Sequence, residues 1–220
     1  LVDIFDEVDE ELRAENAQKL LKRYGGVIVA AALVVVGAAA GWQGWQYWQS
    51  KQEAAAATTF VAAATAADST ATPDPSARGN LVQAFDSLAA SAPEGYRTLA
   101  RLRAAALKAD SGDMAGAAAL WDQIAGDGAV DPLLRDLATL MWAQRQIDRG
   151  DPARLEARLK PLTEPGNAWR ALAQEQLALL DMRQGHAEAA RVAFRKLSQD
   201  VTAPTGVRSR ATALLSRLGA

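Results

Sequence analysis

The hydropathy pattern is dominated by one run near the N-terminus. Gly25 to Gly41 reads GGVIVAAALVVVGAAAG, with no charged or strongly polar side chain. Apart from Tyr47, no ionisable group follows before Lys51. An uncharged stretch of about 25 residues is long enough, as a helix, to cross a hydrocarbon core ~30 Å thick. A buried helix of a soluble protein would be shorter and would keep a polar stripe. The pattern therefore predicts a transmembrane helix over 25–48, and the lack of a second such run predicts a single crossing. An A-x-A pattern within Ala38-Ala39-Ala40 raises a cleavable signal peptide as the competitor. The long, acid-rich segment ahead of the run and the length of the run itself favour an uncleaved signal anchor.

The flanks give an orientation. Arg13, Lys19, Lys22 and Arg23 precede the run, and only Lys51 follows at a comparable distance. Basic residues stay on the cytoplasmic side during insertion, so the N-terminus is expected inside and the long C-terminal part outside. Residues 1–24 place Phe5, Val8 and Leu12 at helical spacing among carboxylates, with Asp3 as a candidate N-cap. This predicts a cytoplasmic amphipathic segment, either simply solvated or used for docking.

Beyond the run, Trp42, Trp45, Tyr47 and Trp48 put four large aromatics into seven positions, and only three more Trp occur later. On a helix the three Trp cover about a third of the circumference and Tyr47 points away from them. That spread suits an interfacial belt, where amphipathic rings sit among the headgroups, with Tyr24 marking the opposite interface. Gly37 and Gly41 have the GxxxG spacing through which two apolar helices can approach, which makes a homodimer one option. In a segment so rich in Ala and Gly, the same spacing also arises by chance.

After Ser50 the chain is Ala-rich and helix-prone, and it repeats. Gly112, Gly150 and Gly185 set the register. Five positions after them stand Ala117, Leu155 and Ala190; nine after, Trp121, Leu159 and Phe194; twelve after, Ile124, Leu162 and Leu197. Seven before, each has Ala (Ala105, Ala143, Ala178), and twelve before, Ala again (Ala100, Ala138, Ala173). The pattern is that of a helical hairpin whose first helix ends at the glycine in a left-handed C-cap. Small residues let the helices approach, and the large apolar ones line one face of the second helix. One hairpin cannot bury its own face, so the units must stack.

Gly79 is expected to mark a fourth, degraded copy, with Ala84 and Leu88 at the matching offsets, a first helix over 51–67 and a loop over 68–77. Thr205 to Leu218 is expected to form a terminal helix burying Val207, Ala211, Leu214, Leu215 and Leu218, and to cap the stack. The expected organisation is all-α: a cytoplasmic segment over 1–24, the span over 25–48, a helix-and-loop connector over 49–79 and an α-solenoid of hairpins over 80–220.

The candidate chemistry is sparse. A formal net charge of -2 argues against non-specific nucleic-acid binding, which needs excess Lys and Arg. Without cysteine there is no thiolate ligand or Cys nucleophile. The one histidine, His186, follows a repeat glycine on an expected exposed turn, which leaves a zinc site or a Ser–His–Asp triad without its parts. Asp127, Asp131 and Asp136 suit N-caps and solvated positions. The chain is expected to be no enzyme and to hold no cofactor or metal.

The glycine-centred hairpins resemble the tetratricopeptide repeat, in a divergent form that lacks the usual Trp and Tyr of the first helix and has Pro132, Pro165 and Pro204 at unusual places. The resemblance implies that the first helices make a concave inner surface. Carried over, its positions are Leu99, Leu102, Ala106, Ala109 and Asp110, then Leu137, Leu140, Gln144, Ile147 and Asp148, then Leu172, Glu175, Leu179, Met182 and Arg183. Such a mostly apolar surface with a few charges would suit an unfolded or extended segment. The alternative occupant is the chain's own helix from Lys51 or its C-terminal helix.

The opening DIFDEVDEELRAE, the AQKLLKRYGG leading into the span, and the stretches YRTLARLRAAAL, DPLLRDLA and EPGNAWRALA together resemble the YfgM-like family, ancillary subunits of the SecYEG translocon in bacterial inner membranes. That resemblance implies a single-pass inner-membrane protein with a periplasmic repeat domain that contacts the translocon and periplasmic chaperones. A structural accessory subunit that clamps or spaces another membrane complex is the alternative.

Overall fold

The computed structural model describes the backbone over residues 3–69 and 75–219, and side chains over 22–27, 29–69 and 76–219. Among the described residues all regular structure is helical. The chain divides into two compact units, Leu1–Ala54 and Ala55–Ala220.

The first helix, α1, runs over Asp3–Ser69. The sequence suggests separate N-terminal, apolar and post-span segments. They form one element because no proline precedes Pro73 and Ala, Leu, Gln and Lys dominate what lies between. Asp3, expected as an N-cap, is instead the first helical residue, and the Phe5, Val8 and Leu12 side chains lie outside the described residues. Among the described residues, α1 is the one helix long and apolar enough to cross a membrane.

The second unit is a succession of antiparallel helices: α2 (Pro75–Ser91), α3 (Glu94–Asp110), α4 (Met114–Gly126), α5 (Pro132–Gln146), α6 (Pro152–Leu159), α7 (Arg170–Arg183), α8 (Ala187–Gln199) and α9 (Thr205–Arg217). The hairpins α3/α4, α5/α6 and α7/α8 coincide with the three glycine-marked repeats. All fifteen repeat positions are buried, from Ala100 at 0% exposed to Leu162 at 4%. The offsets read from the sequence are therefore the packing register of the core.

The glycines end their helices in two ways. Gly112 and Gly185 have φ of +89° and +81°, the left-handed form expected, and the next amide (Asp113, His186) donates to the carbonyl five residues back (Lys108, Asp181), both at 2.9 Å. Gly150 is different. Its φ is not left-handed, its amide donates to Gln146 O at 2.6 Å, and a Cβ there would lie 2.9 Å from that oxygen. Close approach, not a positive φ, requires glycine at 150.

Asp113, Asp131 and Asp151 cap α4, α5 and α6 by accepting from Gly116, Leu133 and Arg154 amides. Asp136 accepts from Asn167 Nδ2 at 2.7 Å, and Asp127 from the Ala129 amide at 3.1 Å. Helix α6 is short because Pro161 cannot donate to its ladder, so the chain continues as a 3₁₀ turn over Lys160–Thr163 that still buries Leu162.

The expected fourth hairpin needs a correction. Gly79 lies inside α2, one turn from its start, and marks no turn, and the expected loop over 68–77 loses 68–69 to α1 and 75–77 to α2. The residues between, 70–74, lie outside the described ones. The pairing itself exists through side chains: Phe60 stands 5.7 Å from the Phe85 ring and 6.0 Å from Tyr96, centroid to centroid. Phe85, at 0% exposed, is the anchor of this cluster and lies one position after Ala84. As expected, α9 buries Val207 and Ala211 and packs Leu214, Leu215 and Leu218 against the same cluster as α8.

Candidate protein-binding cleft

Helices α5 and α7 are first helices of successive hairpins, and α9 follows α8 as a further first helix would. Their facing sides enclose an open cleft of about 620 Å³. Leu172 and Leu179 on α7, about two helical turns apart, give it an apolar wall, and Ala213 and Leu214 on α9 give the opposite one. Gln144 enters from α5, and Gln176, Glu175, Arg210 and Arg217 supply the remaining polar groups.

Glu175 is buried, its side chain 3% exposed, and Arg210 on α9 holds it from a 55% exposed position. The guanidinium Nε and Nη2 each donate to one carboxylate oxygen at 2.6 Å, a bidentate fork that satisfies both acceptor oxygens. The hydrogen bond to Glu175 raises the Arg210 pKa above its ordinary value, against the opposing effect of burial. A buried carboxylate without such a partner would be costly. The pair therefore fixes α9 as a wall of the cleft and leaves Glu175 no free charge to offer a ligand.

Gln176 has no such partner. It is 7% exposed, and among the described residues its amide makes no hydrogen bond to the protein. It lines the cleft, and its amide oxygen and nitrogen are not among the buried atoms that lack a partner, so solvent in the cleft meets them. Arg217, at the far end of α9, is exposed and makes no ion pair among the described residues.

Of the positions carried over from the repeat resemblance, the structure gathers Gln144, Leu172, Glu175 and Leu179 in this cleft. The others have different surroundings. Leu140 is core at 2% exposed, Leu137 and Ile147 pack beside it, and Met182 packs against the α8–α9 cluster. Asp148 is exposed. Arg183 donates to the carbonyls of Ile147 and Gly150 at 2.7 Å each, which ties α7 to the end of α5. In the first of the three repeats, Leu102 and Ala109 are buried, Leu99 is 36% exposed and Asp110 pairs with Arg145 at 2.7 Å. Gln176, Arg210, Ala213, Leu214 and Arg217 carry no signal in the repeat register. An accounting of which residue neutralises Glu175 could have pointed to the arginines of α9.

The second group of candidate residues lies in the first unit. Tyr24, Trp42, Trp45, Tyr47 and Trp48 are all exposed, from 46% to 66%. Trp45 and Trp48 lie 5.6 Å apart at a tilt of 41°, on one side of the helix. At each end of the apolar run a base stands over a tyrosine ring: Arg23 over Tyr24 at 5.7 Å and Lys51 over Tyr47 at 4.7 Å. Gly37 and Gly41 have open space where a Cβ would be.

Residues 18–214 match the family model of the tetratricopeptide repeat-like domain. The chain matches no curated protein and no solved structure at a significant level.

Proposed function

The chain belongs to the tetratricopeptide repeat-like domain family, and from that membership we propose that it is a single-pass inner-membrane protein whose repeat domain faces the periplasm and binds proteins there. The finer reading follows the YfgM-like resemblance: an ancillary subunit of the Sec translocon that links it to periplasmic chaperones. It acts by binding.

The observation that carries the reading is the extent of the family match, which begins ahead of the apolar run and ends within α9. The apolar run and the repeats thus lie within the span of one family match. The base-rich flank before the run supports the inside position of the N-terminus, since basic loops resist translocation. The aromatic residues with bases over their rings suit the two headgroup regions.

A photo-crosslinking residue at Leu179, in native membranes, tests it. The expected neighbours are translocon subunits, periplasmic chaperones or chains in transit. A reporter fused after Ser50 tests topology: activity confined to the cytoplasm would sink both the orientation and the translocon reading.

A further inference from the structure

We infer that the cleft between α5, α7 and α9 takes a single-chain amphiphile with an anionic head, its aliphatic chain along the leucine wall and its head at Arg217. The inference goes beyond the protein-interaction reading above and stands without it.

The walls suit an aliphatic chain. Leu172, Leu179 and Leu214 are half-buried and turn apolar surface to the cleft. Leu172 and Leu179 lie about 10 Å apart along α7. An extended alkyl chain of about eight carbons covers that distance. The cleft volume, about 620 Å³, falls within the ~300–1,000 Å³ of small-molecule sites. The polar groups present ask nothing of such a chain. Both carboxylate oxygens of Glu175 are held by Arg210, and the Gln144 and Gln176 amides reach solvent. A peptide laid on the same wall would bring an N–H and a C=O per residue against leucine, and burying them unpaired is costly. A methylene chain brings neither, so it gains from apolar burial without that cost.

The charges choose the head. Glu175 and Arg210 cancel, which leaves no carboxylate free to draw a cation. Arg217 is exposed and makes no ion pair among the described residues, so it is the charge the cleft has to offer. Leu214 lies three residues before Arg217 and Ala213 four, on the same face of α9. Apolar wall and positive charge therefore adjoin, as the tail and the head of an anionic amphiphile do.

The test uses the full chain in liposomes and a decanoate that carries a diazirine at its tail. After irradiation, mass spectrometry compares the label on α7 and α9 with the label on α1, the reference for non-specific uptake. Label is expected on α7 and α9, and unlabelled decanoate should displace it. Hexanoate should need at least about tenfold more, because each methylene removed withdraws apolar burial. Decanol, of the same chain length and without charge, should also need about tenfold more. Arg217→Glu removes one attraction and adds one repulsion. It should cut the label on α7 and α9 about tenfold and leave that on α1 unchanged. The replaced guanidinium makes no bond to the protein among the described residues, so the helical content read by circular dichroism should stay that of the parent.

Label confined to α1 overturns the inference. So does undiminished label in Arg217→Glu, or hexanoate or decanol that competes as well as decanoate. A leucine–alanine pentapeptide that displaces the probe as well as decanoate would make the cleft a peptide site and overturn it too. Competition by a lysophosphatidylglycerol makes membrane lipid a source of the ligand, and competition by decanoate alone makes the ligand a free acid. Either of these supports the site.

Discussion

A carboxylate is kept out of water only where its charge is met, and among the described residues Glu175 is the one buried acid. Its partner Arg210 is more than half exposed, so the two ends of the pair respond differently to mutation. Arg210→Met strands a buried charge and should cost about 2–3 kcal/mol, somewhat below the ~3–5 kcal/mol of a fully buried pair. Glu175→Gln leaves an arginine that water can reach, and should cost no more than about 1.5 kcal/mol. Urea denaturation of the two variants checks the order, and equal losses would contradict it. Asp200 gives a pH test. Its pKa lies below the ordinary 3.8 because the Thr202 hydroxyl and amide donate to it, with Arg170 alongside. A depressed carboxylate pKa stabilises the fold above the unfolded value, and that contribution is lost as pH falls through the folded one. The parent chain should therefore lose stability below about pH 4 more steeply than Asp200→Asn, as read from denaturation midpoints between pH 5 and 3. At this scale the sequence was only partly legible. Repeat spacing singles out Glu175 and Leu179, but Gln176 is one step out of that register, and Arg210 lies in a helix that carries no repeat glycine.

Each hairpin depends on how its first helix ends, and the three marker glycines look alike in sequence while doing different work. Gly112 needs a left-handed backbone, which asparagine tolerates better than alanine. Gly112→Ala should cost about 1–2 kcal/mol and Gly112→Asn distinctly less. Gly150 needs space, since any Cβ meets Gln146 O, so Gly150→Ala and Gly150→Asn should be equally damaging, each by about 1–3 kcal/mol. A milder Asn at 150 would show that its backbone, too, is left-handed. The starts of the second helices offer the reverse test. Asp113 and Asp151 cap α4 and α6, whereas His186 at the same place before α8 makes no capping bond. His186→Ser should raise stability by about 0.5–1 kcal/mol, measured by thermal melting. The buried offsets were legible because close packing leaves a periodic trace of small and large residues. Gly79 misled for the same reason: Ala84 and Leu88 lie at the repeat offsets, but Gly79 is inside α2 and the largest anchor is Phe85. A single glycine in an Ala-rich helix carries little information about where a helix ends.

At the scale of the whole chain, an apolar run and a repeat pattern are the two features that composition made plainest, because each spans many residues and tolerates local exceptions. What α9 does was not plain from sequence. The repeat resemblance leaves it either filling the inner surface or merely ending the stack, and the structure makes it one wall of an open cleft, tied by Arg210. The proposed binding could reside in either of two parts, a helix of membrane-spanning length or a cleft-bearing repeat unit, and their contributions can be separated without altering either fold. Replacing residues 25–41 with an unrelated apolar sequence of equal length preserves the apolar length and the flanking charges, but removes Gly37 and Gly41 and the native surface of the run. If recognition resides in the cleft, crosslinks from Leu179 keep their partners and their yield within about twofold. If the chain works instead as a clamp held through its span, the Leu179 crosslinks vanish with the replacement. The quantitative comparison of those two backgrounds decides which of the two units selects the partner.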